Sequence, residues 1–172
     1  MNRQPIPRQR AIIDRRVIAE RIDALAADKG ERARGEIVAL LREALAAGRA
    51  ELATRLEARP SAGHEITGGH AFLVDQIVRL IHDHVVAHVF PVANRSSGER
   101  LAIMAVGGYG RAEMAPHSDV DIAFFTPTRR APWCEQVIEA MLYYLWDLGL
   151  KVGQSSRTPD DVVRMAKDDL TI

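Results

Sequence analysis

The stretch from Leu101 to Phe125 reads LAIMAVGGYGRAEMAPHSDVDIAFF. Its apolar opening, Leu101 to Val106, predicts a buried strand, and Gly107-Gly108-Tyr109-Gly110 predicts a turn. A polar crossing follows, then a second strand that carries two aspartates one residue apart. Side chains alternate along a strand, so Asp119 and Asp121 share one face while Val120, Ile122 and Phe124 point into the core. Two carboxylates in one small volume repel each other unless a cation lies between them. Hard oxygen ligands facing one side suit Mg²⁺.

The glycines directly after the first strand permit positive φ and let backbone N–H groups approach an anion closely. Gly107 and Gly108 are therefore candidates to cradle phosphate, and Ser118, just before the first aspartate, can add a hydroxyl donor. Arg111 either clamps a phosphate oxygen or pairs with Glu113 on the surface. A nucleoside triphosphate held by the turn and, through Mg²⁺, by the aspartates is set up for in-line attack at phosphorus. Nucleotidyl transfer is the reaction this pattern suits. Gly108-Tyr109-Gly110 also begins like a dinucleotide fingerprint, but Glu113 stands where the third glycine belongs and no long helix pattern follows at once.

GGYGRAEMAPHSDVDIAFF resembles the nucleotidyltransferase motif of the bifunctional PII uridylyltransferase/uridylyl-removing enzymes, within the polymerase-β-like nucleotidyltransferases. The likeness extends through FLVDQIVRLIHDHV before the motif and YYLWDLGLKVGQSSRTPDDVVRMAKDDLTI after it, from about Ala71 to Ile172. It implies an α+β fold with a mixed sheet packed by helices and a nucleotidyltransferase domain at 64–172, while the apolar stripes ahead of it read as a helical preface over residues 1–63. It implies Asp119 and Asp121 as metal ligands and catalytic pair. It also implies UTP as donor and a tyrosine of the nitrogen-regulatory protein PII as acceptor, with pyrophosphate released.

Many members of the superfamily place a third carboxylate on the neighbouring strand, yet Lys151 to Arg157 holds none. The corresponding family segment resembles VGHSVRT, with Gln154 here in place of His. The general base stays unassigned, with Asp168 and Asp169 as possible substitutes. The resemblance further implies a longer protein carrying an HD domain and two ACT domains, of which this chain is a fragment. Adenylyl transfer on the same fold, and an inactive or regulatory fragment that binds nucleotide or a partner, remain open.

Composition frames these expectations. The 172 residues hold 47% hydrophobic residues, enough for a real core. Lysine plus arginine balance aspartate plus glutamate at 23 each, so no charge excess advertises nucleic acid or a membrane surface. The single cysteine, Cys134, cannot form an internal disulfide, and no zinc spacing exists. No apolar run approaches the roughly 20 residues that span a bilayer. A cytoplasmic location fits.

Outward from the motif, Ile18, Ile22 and Leu25 predict a helix from about Ala11 to Lys29, and Ile37, Leu41, Leu45, Leu52 and Leu56 predict a second, with Gly48 inside it at some cost. A third is predicted from about Gly69 to Ala93. Its His84 and His88 stand four apart, a metal-ligand spacing, but lack the further His and Asp ligands of a phosphohydrolase and read as partly exposed. After the motif, Thr126 to Pro132 reads as a loop. A helix follows from about Trp133 to Leu148, with Tyr143, Tyr144 and Trp146 expected in the core. Leu150 to Arg157 reads as a third strand, and Thr158 as the N-cap of a last helix that starts at Pro159.

Overall fold

The computed structural model describes residues 6–93 and 97–168. A short helix α1 (Gln9–Ile12) precedes α2 (Arg15–Lys29), and Ile13 between them is extended. The Asp14 side chain accepts from the Arg16 N–H at 3.2 Å and so starts α2 afresh, dividing the single helix that the apolar spacing predicts. Gly30, with φ 55°, ends it. Helix α3 (Arg34–Ala58) and helix α4 (Gly63–His84) then pack against each other and against α2.

The cost of Gly48 inside α3 has a packing reason. A Cβ there would lie 2.6 Å from Leu73 Cδ1 and 2.8 Å from the Ile12 carbonyl oxygen, and one on Gly69 would lie 2.4 Å from Leu52 Cδ2. Two glycines thus let α3 and α4 approach closely, each receiving a leucine of the other helix.

Helix α4 begins earlier than its expected start at Gly69, because Pro60 opens a 3₁₀ turn, Pro60–Ala62, that leads straight into it. It also ends sooner than Ala93: after His84 the chain makes a π-helical turn at Val85–Val89, and Pro91 bars continuation beyond Phe90. His84 is buried, at 6% exposure, contrary to its expected place near the surface. It lies on the stripe of Ile77 and Ile81, with Nε2 3.1 Å from the Tyr144 hydroxyl.

The sheet is three-stranded and mixed, in the order β1 (Ala102–Ala105), β2 (Val120–Phe125), β3 (Val152–Arg157). β1 and β2 are antiparallel, while β2 and β3 are parallel and joined through helix α6 (Pro132–Asp147). Ile103, Val120, Ile122, Phe124 and Val152 face the helices and join a core that runs from Ile12 to Leu150. This is the expected α+β architecture, with helices against a mixed sheet.

β1 is not the buried strand its apolar composition suggests. Only alternate residues reach the core, and Met104, on the face that β1 shares with Ala123 of β2, is 52% exposed. Of the aromatic trio on α6, Tyr144 packs inside as expected, but Tyr143 and Trp146 are half-exposed and meet edge to face, 5.6 Å between ring centroids. Among the described residues, no helix is long and apolar enough to cross a membrane.

Candidate functional site

The ladder between β1 and β2 runs to the residue before the glycine turn, where the Val106 N–H donates to the Asp121 carbonyl oxygen at 3.0 Å. Gly107 then turns the chain with φ 58°, a value open to glycine at little cost. The Gly107–Gly110 turn, α5, closes through Gly110 N–H to Val106 O at 2.8 Å and Arg111 N–H to Gly107 O at 3.2 Å. The amides of Gly107, Gly108 and Tyr109 come before the first of these bonds, where a helical start leaves N–H groups without an intrahelical acceptor. The turn sits tightly on its own strand: a Cβ on Gly110 would be 2.6 Å from the Ala105 carbonyl oxygen.

Asp121 stands opposite Gly153 in the parallel register of β2 and β3. A Cβ on Gly153 would lie 2.4 Å from Asp121 Oδ1, and one on Gly107 would lie 2.8 Å from Asp121 Oδ2. The carboxylate therefore lies between two glycines, one on the neighbouring strand and one at the head of the turn. Asp119 immediately precedes β2 and is exposed, the fully buried Val120 separates it from Asp121, and Asp121 leaves the strand on the face opposite the core. The structure brings Asp121 against Gly107 at one end of the sheet, with Asp119 two residues before it in the chain.

Ser118 and Arg111 are already engaged. Ser118 Oγ accepts from the Ala115 N–H at 3.0 Å, and the Ser118 N–H donates to Ala115 O at 3.1 Å. They close a turn with Pro116 second and His117 third at φ 67°, the pattern of a type II turn without its usual glycine. The Ser118 hydroxyl hydrogen stays available to a ligand. Arg111 Nε pairs with Glu113 Oε2 at 3.0 Å on the surface, so a phosphate would have to draw it from that partner. Tyr109, between the glycines, is buried, and its hydroxyl donates to Asp75 Oδ1 at 3.4 Å. Burial, with the Asp75 charge adding, raises its pKa above the ordinary tyrosine range.

The donor set at Asp119 and Asp121 suits a hard divalent cation: two carboxylates two residues apart, with the Gly107–Gly153 space shaped around that of Asp121. No group of three His, Cys, Asp or Glu side chains able to hold a metal occurs among the described residues. The protein would supply two ligands, leaving the rest to phosphate oxygens and water. No carboxylate lies on β3, and Asp169 and the side chain of Asp168 fall outside the described residues. An open depression bounded by Ile138, Leu142, Tyr143, Trp146 and Gln154 includes none of these residues. Gln154 neighbours Gly153 but points to the opposite face of the strand.

Comparison with known proteins identifies the family. The family described as "Putative nucleotidyltransferase DUF294" matches residues 50–159, more than half of the chain. The chain belongs to this nucleotidyltransferase family. It is similar to the bifunctional uridylyltransferase/uridylyl-removing enzymes of Erythrobacter litoralis, at 70% identity over 97% of the chain, and of Novosphingobium aromaticivorans, at 68% over 97%. The corresponding enzyme of Azospirillum brasilense is 48% identical over 97% of the chain. The chain spans 18% of the length of each of these three relatives. No solved structure gives a significant match.

Proposed function

We propose that this chain carries the nucleotidyltransferase site of a uridylyltransferase, moving UMP from UTP to a tyrosine hydroxyl of PII with release of pyrophosphate. The observation that carries this reading is the Asp121 carboxylate lying against Gly107, the first residue of the glycine turn. A triphosphate at the turn amides then has the acid pair beside it. Gly107 and Gly108 present backbone N–H groups to the phosphate oxygens, the Ser118 hydroxyl adds a donor, and Arg111 exchanges Glu113 for phosphate. Asp119 and Asp121 would hold Mg²⁺, which would supply neutralisation of phosphate charge. UTP and PII come from the resemblance to the uridylyltransferases; the metal-assisted chemistry comes from the residues. The balanced charge suits a protein acceptor, with neither nucleic acid nor membrane as partner, and a cytoplasmic setting completes the reading.

The test is transfer of label from α-labelled UTP to purified PII in the presence of Mg²⁺, with ATP compared in parallel. Labelling from UTP that disappears in the Asp121→Asn variant supports the reading, and labelling from ATP alone sinks the uridylyl assignment. The presence of only two clustered acids among the described residues favours one other reading, a regulatory piece that binds nucleotide without turnover. UTP binding without pyrophosphate release in the same preparation would select it.

A further inference from the structure

The β3 glycine has no conformational reason to be one. Gly153 is absent from the residues with positive φ, and glycine inside a strand weakens it. Any L-residue could adopt this backbone, so the constraint is space. Its cross-strand partner is Asp121, and the missing Cβ corresponds to a point 2.4 Å from Oδ1. On the other side, Gly107 leaves room for Oδ2. Each oxygen of the carboxylate is thus bounded by a different glycine, and a side chain at either would turn the group away.

We propose that Gly153 is the positioning residue of Asp121: the empty cross-strand site on β3 holds the carboxylate beside the glycine turn, in the orientation from which it shares a cation with Asp119. This rests on the reading of Asp121 as a metal ligand. The atom that an added methyl would meet is the free end of a rotatable side chain, and no backbone atom other than the Asp121 Cα, at 4.0 Å, is among its nearest neighbours. In Gly153→Ala the carboxylate rotates and the fold remains, so a change in cation binding separates from a change in stability.

Binding of Mn²⁺ alone to the 172-residue chain, followed by loss of the free-ion electron paramagnetic resonance signal, tests this. The Gly153→Ala variant is expected to melt near the parent while its Mn²⁺ affinity falls about 10- to 100-fold, the scale on which groups that orient metal ligands are felt. The Asp121→Asn variant is the control. If it loses Mn²⁺ and Gly153→Ala binds as the parent does, the positioning role is overturned; if neither loses Mn²⁺, the reading of Asp121 itself has failed. Should Gly153→Ala prove unstable, the same substitution in an Asp121→Ala background decides. Stability regained there identifies the carboxylate as the obstructing group, and instability in both backgrounds overturns the proposal.

Discussion

Tyr109, lodged between the glycines of the turn, donates its hydroxyl to Asp75 of α4 at 3.4 Å. This ties the candidate phosphate loop to α4, while Asp75 also pairs with Arg79 Nε at 3.2 Å. In Tyr109→Phe the buried ring stays and only the long hydrogen bond goes. The expected loss is about 0.5–1 kcal/mol in urea unfolding. An unchanged midpoint would mean that ring packing alone holds the turn.

Gly110→Ala should do more harm. The methyl would meet the backbone of Ala105, at 2.6 Å from its oxygen and 3.0 Å from its carbonyl carbon, and a β1 carbonyl cannot swing aside as a side chain can. A loss of about 1–3 kcal/mol is expected from overpacking. Denaturant midpoints for this variant beside Gly153→Ala compare a backbone obstacle with a side-chain one.

Helix glycines offer a contest between propensity and packing. Alanine is favoured over glycine in a helix by roughly 1 kcal/mol, and Gly35 has nothing within 4 Å of its notional Cβ. Gly35→Ala should therefore stabilise the chain by a few tenths to about 1 kcal/mol. Gly48→Ala should destabilise it by about 1–2 kcal/mol, because the Ile12 carbonyl oxygen at 2.8 Å outweighs the propensity gain. Thermal melts of the two variants should shift in opposite directions.

Acid should weaken the helical half. Burial, with His88 adding and Asp23 opposing, lowers the His84 pKa from 6.5 to about 4. Its Nδ1 is buried without a hydrogen-bond partner. Between those values the unfolded chain binds the extra proton, so the contribution is complete above about pH 6.5 and is lost as pH falls toward 4. At about 1.4 kcal/mol per unit the loss is of order 3 kcal/mol. Burial first, then Arg49 and His117, depress His70 in the same direction. Urea midpoints at pH 7.5 and pH 5 should differ less in His84→Gln than in the parent.

At the far end, Asp161 accepts from the Thr158 hydroxyl at 2.8 Å and from Arg129 at 2.6 Å, capping α7 (Pro159–Asp168) and tying it to the loop after β2. The Arg129 bond chiefly, then Thr158, holds its carboxyl well below the usual carboxylate range. The tie persists above that range and is released only in strong acid. Asp161→Asn should speed amide exchange in the first turn of α7 at neutral pH; unchanged exchange would leave the cap without effect.

Much of this architecture was readable residue by residue. The alternation of Val120, Ile122 and Phe124 with Asp119 and Asp121 marks β2 and its two faces, and Thr158-Pro159 announces the start of α7. The role of Gly153 was not readable, because it depends on which residue of another strand stands opposite. A glycine inside a strand signals a close approach without naming the neighbour. Gly48 is the helical counterpart. His84 carried a usable signal, since it continues the stripe of Ile77 and Ile81, but its polarity argued for the surface. Tyr143 and Trp146 misled in the other direction: aromatic character favours the core, and their position on the outer face of α6 overrides it.

Calorimetric titration of UTP, with and without Mg²⁺, into the parent chain and Asp121→Asn tests the shared cation and phosphate site most directly. Saturable binding that requires Mg²⁺ and is lost in the folded Asp121→Asn variant is the expected result. Equal binding by that variant, or binding indifferent to Mg²⁺, would contradict a site in which this carboxylate and the Gly107 turn hold one metal-bound triphosphate.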